Sequence, residues 1–216
     1  MMRVLLMDTC GASGSVALAE GDAVVATELL PGRSSSERLV PVVRQMLEAQ
    51  GWGLRELGAI GVVRGPGSFT GMRVGLSAAK GLSEAGEVAL VAVSRLAVLV
   101  RVGGLGLAVL DAGRGEFYFG EYVGGRSVRE ALLTGDEVRA AVGDGVVVAC
   151  EEKVLEALQG LQVKKVAEPV AEDLLGIVLE RVAAGAVDDA EFLDAHYMRQ
   201  TEMEILARLK LRGGVA

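Results

Sequence analysis

Apolar residues come in short runs along the chain, each closed by glycine, proline or an acidic residue, and this rhythm sets the expected elements. Arg3 to Met7 forms one run ending at Asp8, and Ser15 to Ala19 resumes it after Thr9-Cys10-Gly11-Ala12-Ser13-Gly14. Two such runs around a turn of small residues predict a hairpin with Asp8 at its tip. Ala23 to Leu30 adds a third antiparallel strand before Pro31-Gly32. Helical spacing then takes over: Ser34-Ser35-Ser36-Glu37 fits a capping box, with a neighbouring serine as the alternative cap. On that helix Leu39, Val40, Val42, Val43, Met46 and Leu47 spread over about 160°, wider than the stripe of about 100° that packing on one sheet requires. Either the helix is wedged between the sheet and a second helix of the same chain, or part of its face meets a partner. Pro41 is expected to bend the first turn without ending the helix.

Ala59 to Val63 predicts a strand, and Arg64-Gly65-Pro66-Gly67-Ser68-Phe69-Thr70-Gly71 joins it to a long helix over Met72 to Ala85. Gly65 and Gly67 open backbone angles closed to other residues, Pro66 fixes one dihedral between them, and Ser68 or Thr70 caps the helix. A strand, tight loop and helix start gather N–H donors and partial positive charge, which suits an anion. A β-to-α turn that simply needs glycines and a cap accounts for the same residues. Gly71, Gly75, Ala78, Ala79 and Leu82 share a face of small residues, where another backbone can approach closely. Arg73, Lys80 and Glu84 are the only charges on this helix, a pattern expected of burial on two sides.

Val88 to Val93 predicts another strand, and Ser94 opens a short helix ending near Gly103-Gly104, where the lobe boundary is expected: 1–103 and 104–216. Leu105 to Leu110 then runs into Asp111-Ala112-Gly113-Arg114-Gly115, followed by the alternating strand Glu116 to Val123. This repeats the first motif of apolar strand, Asp, Gly-containing turn and strand, and suggests an internal duplication. The remainder alternates: helix Asp136 to Ala141, strand Val146 to Cys150, helix Glu151 to Gln159, strand Gln162 to Val166 and helix Ala171 to Ala184. Such alternation implies an α/β fold with a partly parallel sheet. A leucine-rich helical pattern over Thr201 to Arg212 is expected to pack back on the body.

Composition narrows the function classes. With 51% hydrophobic residues the chain folds, and its net charge of -7 argues against wrapping nucleic acid unaided. Cys10 and Cys150 have neither metal-ligand spacing nor a disulfide framework, and Asp8 interrupts the first apolar run before it resembles a secretory signal. A cytoplasmic protein with no membrane span is expected. The surplus of apolar surface points to a partner or oligomer interface.

The strings MDTCGASGSVAL, SSSERLVPVV, RGPGSFTGMRVGLSAAKGL, VAVSRLAVL and LDAGRGEFYFG, with the late Tyr197-Met198-Arg199, resemble the bacterial TsaB (YeaZ) family along the whole chain. The resemblance implies a two-lobed, actin-like (RNase H-like) α/β fold with mixed sheets flanked by helices. It implies a non-catalytic partner of TsaD in forming threonylcarbamoyladenosine beside the anticodon of tRNA, with the ATPase subunit TsaE and the tRNA reached through the complex. A homodimer is implied when TsaD is absent. In this family two N-terminal-lobe helices make the contact. Here they correspond to Ser35 to Ala49 and Thr70 to Ala85, with Ser36, Leu39, Val40, Val43, Met46, Leu47, Arg73, Val74, Ser77 and Ala78 as candidate contacts. Related sequences often carry a histidine where this chain has Ser34 to Ser36.

The alternative function is an enzyme, an actin-like-fold ATPase or small-molecule kinase using Asp8 and Asp111 with magnesium, while histidine-based catalysis finds little support in the residues. The single histidine, His196, gives no pair for a His-x-x-x-His metal site, and no G-x-S-x-G motif accompanies it. Nucleotide binding rests on Asp8, Thr9, Gly65, Gly67, Ser68, Thr70, Asp111 and Arg114. Asp8 and Asp111 sit at hairpin tips where actin-like ATPases hold phosphate and metal, yet Asp is also a common turn residue, and Arg114 is placed to pair with Asp111. No cofactor is expected in the chain itself, and ATP or ADP with magnesium is a candidate only at the partner interface.

Overall fold

The computed structural model describes residues 1–31 and 35–198, and of Ser35 and Ser36 the backbone. The expected Ser34 cap, the Ser36 side chain, Arg199 and the Thr201 to Arg212 segment lie outside the described residues.

Two five-stranded sheets form the frame. The first contains β1 (Arg3–Asp8), β2 (Gly14–Glu20), β3 (Ala23–Leu30), β4 (Ala59–Val63) and β5 (Ala89–Val93) in the order β3-β2-β1-β4-β5. The second contains β6 (Leu107–Gly113), β7 (Glu116–Val123), β8 (Arg126–Thr134), β9 (Val146–Ala149) and β10 (Gln162–Lys165) in the order β10-β9-β6-β7-β8. Read from its other edge, the second sheet repeats the first. Each is an antiparallel meander of three strands whose opening strand also pairs in parallel with the fourth, and the fourth with the fifth. The duplication suggested by two Asp-tipped hairpins therefore extends through both lobes. The strand β8 is missing from the sequence reading for a physical reason: it is a sheet edge, and Arg126, Ser127, Val128 and Arg129 are all exposed, so no alternation marks it.

α1 (Ser35–Gln50) and α2 (Phe69–Gly86) cover the first sheet, and α4 (Gly135–Val142) and α5 (Glu152–Ala157) cover the second. Pro41 sits inside α1 without ending it. The wide apolar face of α1 is used within the chain, wedged between sheet and α2. Leu39, Val42, Val43, Met46 and Leu47 all belong to the first-lobe core. As outward-facing contacts, Leu39, Val43, Met46 and Leu47 are thus corrected, and Val40 alone of the group is exposed, at 49%.

The remaining helices cross between lobes. α3 (Arg95–Gly103) follows β5, yet Leu96, Leu99 and Val100 pack with Ala108, Leu110, Tyr122 and Val148 of the second lobe. α6 (Leu175–Ala183), entered through a 3-10 turn at Ala171–Leu174, sends Leu175 and Val178 into the first-lobe core. The two helices are joined by Arg101, whose guanidinium makes two bonds to Glu180 at 2.8 and 3.1 Å. It lies across Gly176, where a Cβ would come within 2.5 Å of Nη2.

Candidate functional site

The loop between β4 and α2 is shaped by the β1–β2 turn. Ser68 Oγ accepts the Gly71 N–H at 3.2 Å, so Ser68 rather than Thr70 is the cap. The Ser68 N–H donates to the Cys10 carbonyl at 2.9 Å, and Thr9 Oγ1 donates to the Gly71 carbonyl at 2.6 Å. The glycines make this approach possible: a Cβ would lie 2.4 Å from Cys10 O at Gly67, 1.8 Å from Thr9 O at Gly71 and 2.3 Å from Thr9 Oγ1 at Gly75. The small-residue face of α2 therefore admits a backbone of its own chain. Thr9, Gly65, Gly67, Ser68 and Thr70, expected as an anion loop, form instead a packed turn in which Ser68 N–H is already bonded and Thr70 is exposed.

Both acidic tips cap their own turns. Asp8 Oδ1 accepts the Cys10 N–H at 2.7 Å, and Asp111 Oδ1 accepts the Gly113 N–H at 2.8 Å, a repeat within the repeat. Asp8 is 2% exposed, and burial raises its carboxyl above the ordinary range, against the lowering effect of the Arg95 charge. The cation between the tips is Arg95, at the first position of α3 and 3% exposed. Its Nη2 lies 2.6 Å from Glu168 Oε1 and its Nη1 4.0 Å from Glu151 Oε1, while Glu151 Oε2 accepts the Asp111 N–H at 2.5 Å. Burial also pushes the Cys150 thiol up to about 11 and the Cys10 thiol well above its usual value. The expected pairing of Arg114 with Asp111 is corrected. Arg114 is exposed at φ +59°, and among the described residues no ion pair joins it to Asp111. Sequence reasoning missed Arg95, Glu151 and Glu168; the one available signal was a charge at the head of a helix whose only other charge is Arg101 in its last turn.

A second polar group bridges the lobes. The His196 N–H donates to the Arg64 carbonyl at 2.9 Å, and His196 Nε2 lies 2.5 Å from Glu130 Oε2 on β8. Tyr122 Oη donates to the other Glu130 oxygen. Burial raises the Glu130 carboxyl, but bonds from His196, Tyr122 and Ser94 hold it below its ordinary value.

The outer face of α2 carries the surface-reaching members of the expected contact set. Arg73 and Ser77 are exposed, and Val74 and Ala78 are half-buried. Arg73 Nε donates to Tyr197 Oη at 2.6 Å, and its guanidinium stacks 4.0 Å above the Phe69 ring. Farther along, Lys80 Nζ donates to the Leu193 carbonyl at 3.1 Å, and the Asp188 carboxylate accepts the Ala92 N–H at 2.7 Å. Residues 188–197 thus run as a strap along the first lobe.

Comparison with known proteins gives a consistent assignment. Residues 30–185 match the family model described as TsaD, tRNA N6-adenosine threonylcarbamoyltransferase. The Escherichia coli tRNA threonylcarbamoyladenosine biosynthesis protein TsaB is 32% identical over 92% of this chain and 95% of its own length. A Pseudomonas aeruginosa structure, titled as an uncharacterised protein similar to the peptidase YeaZ, superposes with a TM-score of 0.78 at 29% identity, covering 92% of this chain and all of that one. The ethanolamine utilisation protein EutJ of Carboxydothermus hydrogenoformans, at 14% identity and a TM-score of 0.50 over 83% of this chain and 90% of its own, shares the fold alone. With its two duplicated lobes in the actin-like, RNase H-like arrangement, the chain belongs to the TsaB (YeaZ) family.

Proposed function

We propose that the chain is a non-catalytic accessory subunit in tRNA threonylcarbamoyladenosine biosynthesis, acting by binding a TsaD-like catalytic subunit through the outer face of α2 and the adjoining exposed edge of α1. The observation that carries this reading is the exposed outer face of α2, the longest of the described helices. Arg73, Ser77 and Gly81 are exposed there, and a Cβ built at Gly81 meets no atom of the described residues within 4 Å. Small residues on an exposed helix face let another helix come close. The match to a TsaD model supplies the partner's character, a chain of related fold. A homodimer through the same face is the state proposed in the partner's absence, and TsaE and tRNA are reached through the complex. The net charge of -7 favours indirect contact with RNA. ATP or ADP with magnesium is assigned to the partner interface, and the cytoplasm is the proposed location.

The absence of bond chemistry in this chain is supported by what fills its cleft. Asp8 and Asp111 are spent on turn capping, and Arg95 stands between the tips with Glu151 and Glu168. The lone imidazole is engaged with Glu130, which leaves no free imidazole for a Ser-His-Asp type of mechanism. Co-purification with the TsaD-like chain of the same cell tests the reading: Ser77→Arg is expected to weaken capture by about tenfold or more while the isolated variant stays folded. Undiminished capture would overturn the assigned surface, and magnesium-dependent ATP turnover lost in Asp8→Ala would overturn the non-catalytic role.

A further inference from the structure

Asp8 Oδ2 and Arg95 Nε, both in the cleft between the hairpin tips, are buried and find no hydrogen-bond partner among the described residues. A carboxylate from elsewhere in the chain enters at this point. Glu168 Oε1 accepts the Ala12 N–H of the β1–β2 turn at 3.0 Å and the Arg95 Nη2 at 2.6 Å. Gly11 leaves the room for it, since a Cβ there would lie 2.4 Å from the same oxygen. One oxygen thus takes a turn amide and a fully buried guanidinium, the donor set that binds small oxyanions in general.

The location gives this contact its meaning. Within the described residues the chain passes between lobes at Ser94–Arg95, from β5 into α3, and again after β10. There Val166 N–H is still bonded to Ala149 of the second lobe, at 3.0 Å, and Ala171 N–H is already bonded to Ser15 Oγ of the first, at 2.9 Å. Glu168 lies on the second crossing and Arg95 on the first, so their contact ties both crossings to the β1–β2 turn. The Glu168 side chain is 41% exposed and reaches in from the solvent side, whereas Arg95 forms the wall.

We propose that the mouth of the interlobe cleft is an oxyanion position filled in cis by Glu168, so that lobe closure is set by the chain itself and the ligand class it excludes is a small carboxylate- or phosphate-type anion. The inference concerns the isolated chain and does not rest on the partner reading. Replacing Glu168 by Ala leaves the Ala12 amide and Arg95 in place with one negative charge fewer, and a free monoanion restores that charge.

The test is anion rescue of Glu168→Ala, read by thermal unfolding and by hydrogen exchange of the peptide spanning Ala12. The variant is expected to melt lower than the parent and to exchange faster at the turn. Formate at about ten times its Kd should raise its Tm by roughly 3–6 °C, with inorganic phosphate as the larger probe. Chloride at equal ionic strength should have no such effect, and the parent should respond to neither. Glu168→Gln keeps the bulk and an acceptor oxygen, so it should exchange faster at the turn but gain nothing from formate. If Glu168→Ala folds only when formate is present, the proposal is supported; if it folds in neither condition, the exchange of Glu168→Gln decides. Unchanged exchange at the turn in the variants, formate acting no better than chloride, or an equal response of the parent would each overturn it.

Discussion

The two lobes share one strand topology and differ in their helices. α1 and α2 run to 16 and 18 residues, whereas the equivalents α4 and α5 have 8 and 6. At 1.5 Å per residue, α2 is about 27 Å long and α5 about 9 Å. In the second lobe Val138, Val142, Val154 and Leu158 seal the sheet with little helix to spare. In the first lobe the same task consumes one side of α1 and α2, and on the other side Val40, Arg73, Ser77 and Gly81 are exposed among the described residues. The repeated topology accounts for the fold, and the greater length of two helices in one copy gives that copy the larger helix surface, the one proposed for a partner.

The strongest way to break this comparison is to charge the inward side. Val43 is 1% exposed, and Val43→Asp strands a carboxylate in the first-lobe core. A loss of more than about 4 kcal/mol is expected, seen as loss of cooperative unfolding. If Val43 faced outward, as the breadth of the apolar face allows, the melting curve would barely move.

Glycine substitutions on α2 sharpen the distinction between its two sides. Gly71→Ala places a methyl 1.8 Å from the Thr9 carbonyl, so the turn must shift at a cost of about 1–3 kcal/mol. Gly81→Ala meets no atom of the described residues and should stabilise the chain by about 0.5–1 kcal/mol, as alanine does on an exposed helix. Equal effects in denaturant unfolding would mean that the inner and outer sides are not distinct. On the outer side, Ser77→Arg should leave stability within about 0.5 kcal/mol while weakening capture of the partner by about tenfold or more.

The legible part of this molecule is the local part. Alternation and turn residues identify the hairpins, Ser68 is recognisable as a cap, and the matching Asp8 and Asp111 tips disclose the duplication. Sequence periodicity gives the width of the α1 apolar face but not what covers it, because α2 and the sheet approach from different directions. The cleft was illegible for a similar reason. Arg95 and Glu168 are 73 residues apart, and although Arg95 lies in the string VAVSRLAVL, no spacing in the sequence links it to Glu168. Arg114, adjacent in sequence to the second tip, drew attention that the folded chain gives to Arg95. The small-residue stripe of α2 was legible as a close approach, but the approaching backbone is that of Thr9.

The smallest expected effect concerns the other interlobe contact. Glu130 lies in the second lobe, while His196 is anchored to the first through the Arg64 carbonyl. Bonds from His196, Tyr122 and Ser94 overcome the burial cost and hold the Glu130 carboxyl below its ordinary 4.5. A carboxylate whose folded value is lowered stabilises the fold fully above its unfolded value, and that contribution is lost as pH falls through the folded value. Glu130→Gln should therefore melt below the parent at neutral pH, and the gap should close in acid below about pH 4.5. A gap that stayed constant across that range would mean that the contact ties the lobes by shape alone. Its closing would identify an ionic tie between the lobes, separate from the one made by Arg95 and Glu168.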